Sequence, residues 1–329
     1  MTDNPFDVDY REPEPGSFSL AGMPTEAEFR ADFGLSEPDE QDSSNFLGAG
    51  IHRLPAADYH ADPAPLPSLS ATLAKLITSK SPLHAWHACR RLNPNWQAVE
   101  RKTFDIGSAA HRAVLGCGDD YVAIPADLLA SNGAASTAAA KAFIADARAS
   151  GRTPIKEDEI AQVEAMREIA HIRLAGYGIT LDPARSELSA FAEIDGAWCR
   201  AMFDNVPADP ALPIYDYKTC EDARPEACLK AILNYGYDVQ AEHYLAVWKA
   251  VTGEDRQFTF IFQEKPEPNE VTLVRLSGSF RDVGQTRAAR ARRIWAECVS
   301  SNQWPGYPAG IHEVDAPAWL IEREFQEEI

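Results

Sequence analysis

The spacing of apolar residues predicts helices through the first half of the folded chain. Apolar positions recur every three to four residues between about Ser68 and Leu174, and the Ser81-Pro82 step should divide the first stretch into two helices. Ser68 or Ser70 offers a side-chain oxygen that suits the N-cap of the first helix. The predicted helical ranges are 66–92, 104–115, 134–149 and 157–174.

From Glu187 onward apolar and polar side chains alternate, which is typical of β-strands. The predicted strands are 187–194, 197–203, 213–218, 258–263 and 271–276, and the helices among them are 223–252 and 281–301. Helices followed by a short mixed central sheet with flanking helices indicate an α/β (α+β) fold with a helical N-terminal elaboration.

Residues 1–49 differ from the rest of the chain in composition. They contain 12 Asp or Glu against 2 Arg, many Pro, Ser and Gly, and few aliphatic side chains. Such a segment cannot bury enough apolar surface to offset its ordering entropy. We therefore expect a disordered acidic arm, either a solvating tail or a partner-binding segment, followed by one folded domain over residues 50–329.

The overall composition narrows the class of protein. A hydrophobic fraction of 45% is ordinary for a globular protein. No apolar run has the length of a membrane span, and the N-terminus lacks a basic, apolar signal region, so we expect a cytoplasmic protein without a membrane partner. The six cysteines are scattered without a Cys-X-X-Cys pair, which favours reduced thiols over disulfides or zinc.

The net charge of -19 argues against a nucleic-acid partner, because phosphate contacts require Lys and Arg. The acidic arm supplies -10 of this charge, however, and basic residues cluster locally as Arg287, Arg290, Arg292 and Arg293. A basic face on an acidic protein is compatible with DNA binding. The alternative is that these arginines pair with nearby acids such as Glu297.

The candidate chemistry begins with Asp204 and Asp216, which end two apolar runs, and with Lys218 two residues beyond the second. If the two strands pair as a hairpin, both carboxylates lie near one edge, and Asp216 and Lys218 point the same way. Carboxylate oxygens suit Mg²⁺, and an amine can steady a water and a developing negative charge. The alternative is a surface ion pair, which short motifs of this kind often form.

Three further features fit the same chemistry. His111 lies one turn after Gly107 on a predicted helix, Gln240 and Tyr244 share one face of the helix after the Asp-X-Lys strand, and Glu187 opens an earlier strand. Each feature also has a structural interpretation. In that interpretation His111 is a hydrogen-bonded helical histidine, the helix of Gln240 and Tyr244 is an ordinary amphipathic helix with Tyr244 in the core, and Glu187 is solvated.

Taken in order, these motifs resemble the PD-(D/E)XK nuclease superfamily, in its exodeoxyribonuclease VIII (RecE-type) branch. The residues that carry the resemblance are His111, Asp204, Asp216-Tyr217-Lys218 and Gln240-X-X-X-Tyr244. Further similar segments, between about residues 50 and 300, are Asp58-Tyr59-His60, Phe104-Asp105-Ile106-Gly107, Tyr235-Gly236-Tyr237-Asp238-Val239-Gln240 and Phe260-Ile261-Phe262-Gln263-Glu264-Lys265.

The resemblance implies a role for each motif residue. The metal ligands for Mg²⁺, or Mn²⁺, would be His111, Asp204, Asp216 and the Tyr217 carbonyl. Lys218 would be the catalytic lysine, and Gln240 and Tyr244 would order the site and the scissile strand. Many superfamily members carry Glu where this chain has Asp216.

The resemblance also implies an activity. It is a Mg²⁺-dependent exonuclease that degrades linear double-stranded DNA from its ends, 5′ to 3′, for recombination in phage or prophage. A single-strand-annealing partner protein and a homo-oligomer are further implications. The alternatives are a PD-(D/E)XK endonuclease of restriction or repair type, a non-catalytic DNA-binding protein with this fold, and a DNA-mimicking inhibitor. The complete set of His111, Asp204, Asp216 and Lys218 favours an active enzyme.

Overall fold

The computed structural model describes residues 46–97, 105–117 and 121–326 of the chain. The predicted acidic arm therefore lies outside the described residues, except for residues 46–49. These last residues are attached to the folded domain. The backbone N–H of Leu47 donates to the Pro63 carbonyl at 2.8 Å, and its side chain packs against the small core around Tyr59 and Phe191.

The described residues form the following helices and strands. The helices are α1 (Ala56–Ala61), α2 (Ala71–Ser79), α3 (Pro82–Ala88), α4 (Asp105–Leu115), α5 (Ala138–Ala149), α6 (Glu157–Gly176), α7 (Pro225–Tyr235), α8 (Tyr237–Thr252), α9 (Gly278–Ser301) and α10 (Ala318–Gln326). The strands are β1 (Gly50–His52), β2 (Tyr121–Ala123), β3 (Thr153–Ile155), β4 (Ser186–Ile194), β5 (Ala197–Asn205), β6 (Ile214–Cys220), β7 (Phe258–Glu264) and β8 (Val271–Val274). None of the described helices is long and apolar enough to cross a membrane.

Local sequence signals explain most element boundaries. The Ser70 hydroxyl accepts the Leu73 N–H at the start of α2, and Pro82 occupies the first turn of α3, so the Ser-Pro break is confirmed. The predicted helix over 223–252 is instead two helices. Gly236 separates them with φ +63°, a left-handed conformation that glycine adopts without steric cost.

The main sheet has six strands in the order β1-β4-β5-β6-β7-β8. Only β6 and β7 run parallel within it, and the other neighbours are antiparallel. A parallel pair requires a crossover connection, which α7 and α8 provide. The separate pair β2-β3 is parallel. The prediction of a mixed sheet flanked by helices is confirmed.

Each face of the main sheet carries its own apolar core. The larger core joins α2, α8 and α9 to one face, and the smaller joins α4 and α6 to the other. Alternation along β6 places Ile214 in the larger core and Tyr215 and Tyr217 in the smaller. Asp216 and Lys218 therefore share the face of Ile214, toward α8. All six cysteines are free thiols, as predicted.

Candidate active site

The centre of the site is the place where β5 and β6 part. Among the described residues their antiparallel ladder holds one register pair, Asn205 with Tyr215, and the next two positions in that register are Asp204 and Asp216. Beyond this pair the strands are joined through a side chain, because the backbone N–H of Tyr217 donates to Asp204 Oδ2 at 2.7 Å. The strands that carry the two aspartates are therefore antiparallel neighbours, as the sequence predicts.

His111 reaches this centre because α4 packs closely on β6. A Cβ atom at Gly107 would lie 3.0 Å from Thr219 Oγ1, so a larger residue there would crowd that hydroxyl. Ala109 and Ala110 of the same helix are fully buried. One turn after Gly107, His111 Nε2 lies 3.1 Å from Asp204 Oδ2.

The His111–Asp204 contact changes the protonation of both groups. Burial by itself lowers the pKa of His111, but the Asp204 carboxylate outweighs burial and raises it above its usual value. For Asp204 burial acts in the opposite direction, and His111 together with Lys218 holds its pKa below the usual value. The pair is thus arranged as imidazolium and carboxylate.

Asp216 is held between a cation and an amide. Its carboxylate is almost fully buried, Oδ1 forms an ion pair with Lys218 Nζ, and Oδ2 accepts Nε2–H of Gln240 at 2.8 Å. Burial raises the pKa of Asp216 to about 6, against the opposing effect of the Lys218 ammonium. Burial would lower the pKa of Lys218, yet Asp216 and Asp204 raise it above its ordinary value. Lys218 therefore stays charged beside both carboxylates.

The two tyrosines of the predicted site occupy different surroundings. The Tyr217 ring is buried in the smaller core, and its hydroxyl donates to Gln263 Oε1. The Tyr244 ring packs edge-on against Phe203 with 5.2 Å between centroids, and it also lines the cleft described below. The metal-binding role of the Tyr217 carbonyl stays a prediction, as does the strand-ordering role of Tyr244.

Glu187 adds a carboxylate to the same place. The β4–β5 register pairs Ser186 with Asn205 and Leu188 with Phe203, so the position across from Glu187 is Asp204. Like charges at opposite positions destabilise a sheet. Glu187 also has φ +50°, a strained value for a residue other than glycine, and no ion pair or hydrogen bond joins its carboxylate to another described residue.

The donors present fit a divalent cation in kind, although they do not all converge. Two ligands of an octahedral Mg²⁺ at about 2.1 Å stand about 3 Å apart, as His111 Nε2 and Asp204 Oδ2 do. Asp216 Oδ1 is a buried oxygen that has an ion-pair contact with Lys218 but no hydrogen bond of proper geometry. Within residues 46–97, 105–117 and 121–326 no three His, Cys, Asp or Glu side chains come together as a ready metal site.

These groups open onto a cleft of about 720 Å³. The lining includes the candidate catalytic residues His111, Glu187, Asp204, Lys218, Gln240 and Tyr244. It also includes Arg90 and the exposed Trp96, whose ring centroid lies 5.6 Å from the Arg90 guanidinium. Stacked aromatic and guanidinium groups are suited to unpaired bases. Neither residue is among the predicted site residues, since a lone arginine or tryptophan in the sequence gives no signal of its location in the fold.

The arginines of α9 mostly serve the fold. Arg287 Nη1 pairs with Asp238 Oδ2 at 2.6 Å, Arg292 is buried near Asp195, and Arg293 lies 3.6 Å from a Glu297 carboxylate oxygen. The structure thus supports the pairing alternative for three of the four arginines in the predicted basic cluster.

Comparison with known families identifies a match over most of the folded domain. A family model described as a PDDEXK-like domain of unknown function (DUF3799) matches residues 71–315. This range contains the whole site described above, from α2 to the end of α9. No curated protein matches the chain.

Comparison with solved structures gives several matches, among them three that carry the word exonuclease in their names and are each no more than 15% identical to this chain. One, from Eubacterium rectale, is 15% identical with a TM-score of 0.47, and the match covers 79% of this chain and 97% of the other. A phage related exonuclease from Haemophilus somnus is 14% identical with a TM-score of 0.28, and the match covers 59% of this chain and 95% of the other. An alkaline exonuclease from Laribacter hongkongensis is 14% identical with a TM-score of 0.24, and the match covers 59% of this chain and 89% of the other.

Proposed function

Because the chain belongs to the PDDEXK-like domain family, and through it to the PD-(D/E)XK nuclease superfamily, we propose that it is a metal-dependent deoxyribonuclease. The observation that carries the proposal is the meeting of two paired groups in one cleft. One is the His111–Asp204 pair and the other is the Asp216–Lys218 pair. They lie on either side of the point where β5 and β6 separate. Carboxylates, an imidazole and a lysine in one cleft suit hydrolysis of a phosphodiester.

We assign the cation to Asp204 and to His111 in its neutral form, which would lose its proton when the cation binds, with Asp216 as the further ligand once its Oδ1 is released from Lys218. A bound divalent cation polarises a phosphoryl oxygen and lowers the pKa of a water. Among the described residues around Asp216, Lys218 is the group that already neutralises the carboxylate. If a metal ion replaced the Lys218 ammonium at Oδ1, the buried Asp216 carboxylate would have a positively charged partner both before and after metal binding.

The protein's own residues have separate tasks in this proposal. Lys218 stays protonated because of the two nearby carboxylates, so it acts as a hydrogen-bond donor to the phosphoryl group or to the attacking water. The Gln240 amide fixes the orientation of Asp216 through Oδ2. Tyr244 forms part of the cleft wall beside Gln240, where it can contact the strand.

The finer proposal is an exonuclease that acts on the ends of linear double-stranded DNA, 5′ to 3′ and with Mg²⁺, in recombination. Its support is the resemblance of the motifs. The arrangement of Arg90 and Trp96 further supports a single strand passing through the cleft.

One experiment tests the activity and its finer form together. Linear duplex labelled at either 5′ or 3′ end, closed circular duplex and single strand are incubated with Mg²⁺, Mn²⁺ or EDTA. We expect release of short labelled products from linear DNA with a divalent cation and none with EDTA. Steady degradation of the closed circle would favour an endonuclease, and no cleavage of any substrate with either metal would contradict the proposed activity.

A further inference from the structure

A second lysine, Lys75 of α2, shares an aromatic ring with Lys218. The Lys75 Nζ atom lies 5.4 Å from the centroid of the Tyr237 ring, and the Lys218 Nζ atom lies 5.2 Å from the same centroid. Gly236 permits this approach, because a Cβ there would lie 3.2 Å from Cγ and Cδ of Lys75. The fold thus brings two ammonium groups to one tyrosine at the edge of the candidate active site.

The charge on Lys75 is not matched by a carboxylate. No ion pair joins its amine to any described acid, although its side chain is only partly exposed. The two acids that act on it electrostatically are Asp216 and Asp238. Each of these is already engaged, Asp216 by Lys218 and Gln240, and Asp238 by Arg287 at 2.6 Å.

Lys75 is consequently a cation in an unfavourable place. Burial lowers its pKa to about 8, and repulsion from Lys218 adds to that effect, while the two acids oppose it. A half-buried amine that faces a second ammonium and has no acid of its own costs stability unless an anion reaches it. A phosphate is the anion that the proposed reaction would bring to this position.

We propose that Lys75 binds a backbone phosphate of the nucleic-acid strand, next to the phosphate that is cleaved beside Lys218. The proposal rests on the proposed nuclease function. Lys218 lines the 720 Å³ cleft and Lys75 stands outside that lining, which is why we assign the cleaved phosphate to Lys218 and a neighbouring one to Lys75. Tyr237 then acts as the shared support that holds both amines toward the strand.

The first test compares Lys75→Met with Lys80→Met in the full chain. Lys80 is exposed at the end of the same helix and serves as the matched control. Binding of a fluorescent single-stranded oligonucleotide is measured by anisotropy in EDTA at several salt concentrations. We expect Lys75→Met to weaken binding about tenfold, as for the loss of one charge-assisted hydrogen bond. The slope of log K against log salt should become smaller by about 0.7, and Lys80→Met should change neither quantity.

A second measurement uses the unmodified protein, so that it remains informative if Lys75→Met folds poorly. An amine-reactive label is applied with and without the oligonucleotide in EDTA, and labelled peptides are quantified by mass spectrometry. The oligonucleotide should slow the labelling of Lys75 severalfold and leave Lys80 unaffected. Equal labelling of Lys75 with and without DNA would overturn the proposal.

The outcomes separate this inference from the function on which it rests. If the unmodified protein cleaves DNA while Lys75→Met binds as tightly as Lys80→Met with the same salt slope, the phosphate site is wrong and the nuclease stands. If the unmodified protein neither binds nor cleaves nucleic acid, both are wrong.

Discussion

Asp204 Oδ2 accepts the backbone N–H of Tyr217 at 2.7 Å, so a side chain of β5 completes the hydrogen bonding of β6 where the two strands part. The same oxygen lies 3.1 Å from His111 Nε2. In the proposed mechanism one carboxylate therefore has two tasks, since it ties the Asp-Tyr-Lys segment to the neighbouring strand and would ligate the cation. Substitutions that preserve one task and remove the other can separate them.

Asp204→Asn should keep the acceptor for Tyr217 while it removes the charge. We expect the affinity for Mn²⁺, measured by titration calorimetry without DNA, to fall at least tenfold, because hard cations prefer carboxylate oxygen. Asp204→Ala should lose that affinity and in addition lower the free energy of unfolding by about 1–3 kcal/mol, since the Tyr217 N–H is left without its partner. Equal Mn²⁺ affinity in the unmodified protein and Asp204→Asn would remove Asp204 from the proposed metal site.

Lys218→Ala should abolish efficient cleavage and leave DNA binding largely intact. The lysine is proposed to act on the attacking water and the transition state, and loss of one such contact costs roughly 10²–10³-fold in rate. Single-turnover cleavage with Mg²⁺ measures the effect. Lys249→Ala is a suitable control, because Lys249 is an exposed residue that pairs with Asp255 away from the cleft. A near-normal rate in Lys218→Ala would refute the catalytic role.

Glu187→Gly should raise stability and lower activity. Glycine relieves the positive φ at this position and removes the negative charge across from Asp204, so the free energy of unfolding should rise by about 1 kcal/mol. If the active site needs the strained backbone at Glu187, the cleavage rate of Glu187→Gly should fall at least tenfold. Asn302 has the same φ of +50° at the end of α9, so Asn302→Gly should change stability without changing cleavage. Full activity in Glu187→Gly would make Glu187 a structural residue only.

His243 should make the protein less stable in mild acid. It is fully buried on α8, one ring nitrogen lies 3.1 Å from the Arg200 carbonyl oxygen, and burial lowers its pKa to about 4. The unfolded chain, with a histidine pKa near 6.5, binds the extra proton first, so stability is lost as the pH falls from about 6.5 toward 4. The loss attributable to this residue approaches about 3 kcal/mol.

Urea unfolding at a series of pH values, compared between the unmodified protein and His243→Gln, isolates this contribution. The difference in unfolding free energy between the two should shrink steadily below pH 6.5. Parallel curves for the two proteins over this range would show that His243 does not titrate as proposed.

The acidic segment is expected to be dispensable for cleavage, and the structure moves the point at which it should be removed. The sequence places the domain start at residue 50, but Leu47 already packs on the small core and Phe46 lies under the Arg91 guanidinium at 5.4 Å. Deletion of residues 1–45 should preserve activity on linear DNA and raise it at low salt, where a net charge of -10 repels phosphate most strongly. Deletion through residue 49 should additionally lower stability. A folded 46–329 chain without activity would assign the arm to the working enzyme.

The sequence by itself determined the local features of this protein. Alternation places Asp216 and Lys218 on one face of β6, and their ion pair follows from that geometry. Small residues around Gly107 permit a close approach of α4 to whatever packs against it, and the helical period places Gln240 and Tyr244 on one face of α8. These relationships depend on backbone periodicity and nearby sterics, which a few adjacent residues decide. The three-residue strands β1, β2 and β3 escaped prediction because so short a stretch shows no clear period.

Only the tertiary structure decided which distant groups meet. Arg287 neutralises Asp238 across two helices rather than facing DNA, and that partnership in turn leaves Lys75 without an acid, although 163 positions separate Lys75 from Asp238. Glu187 stands across from Asp204 because the β4–β5 register brings them there, and its backbone has a positive φ at that position. Charge is long-ranged and its compensation depends on three-dimensional distance, so composition could not show which cations are satisfied and which remain open to a phosphate.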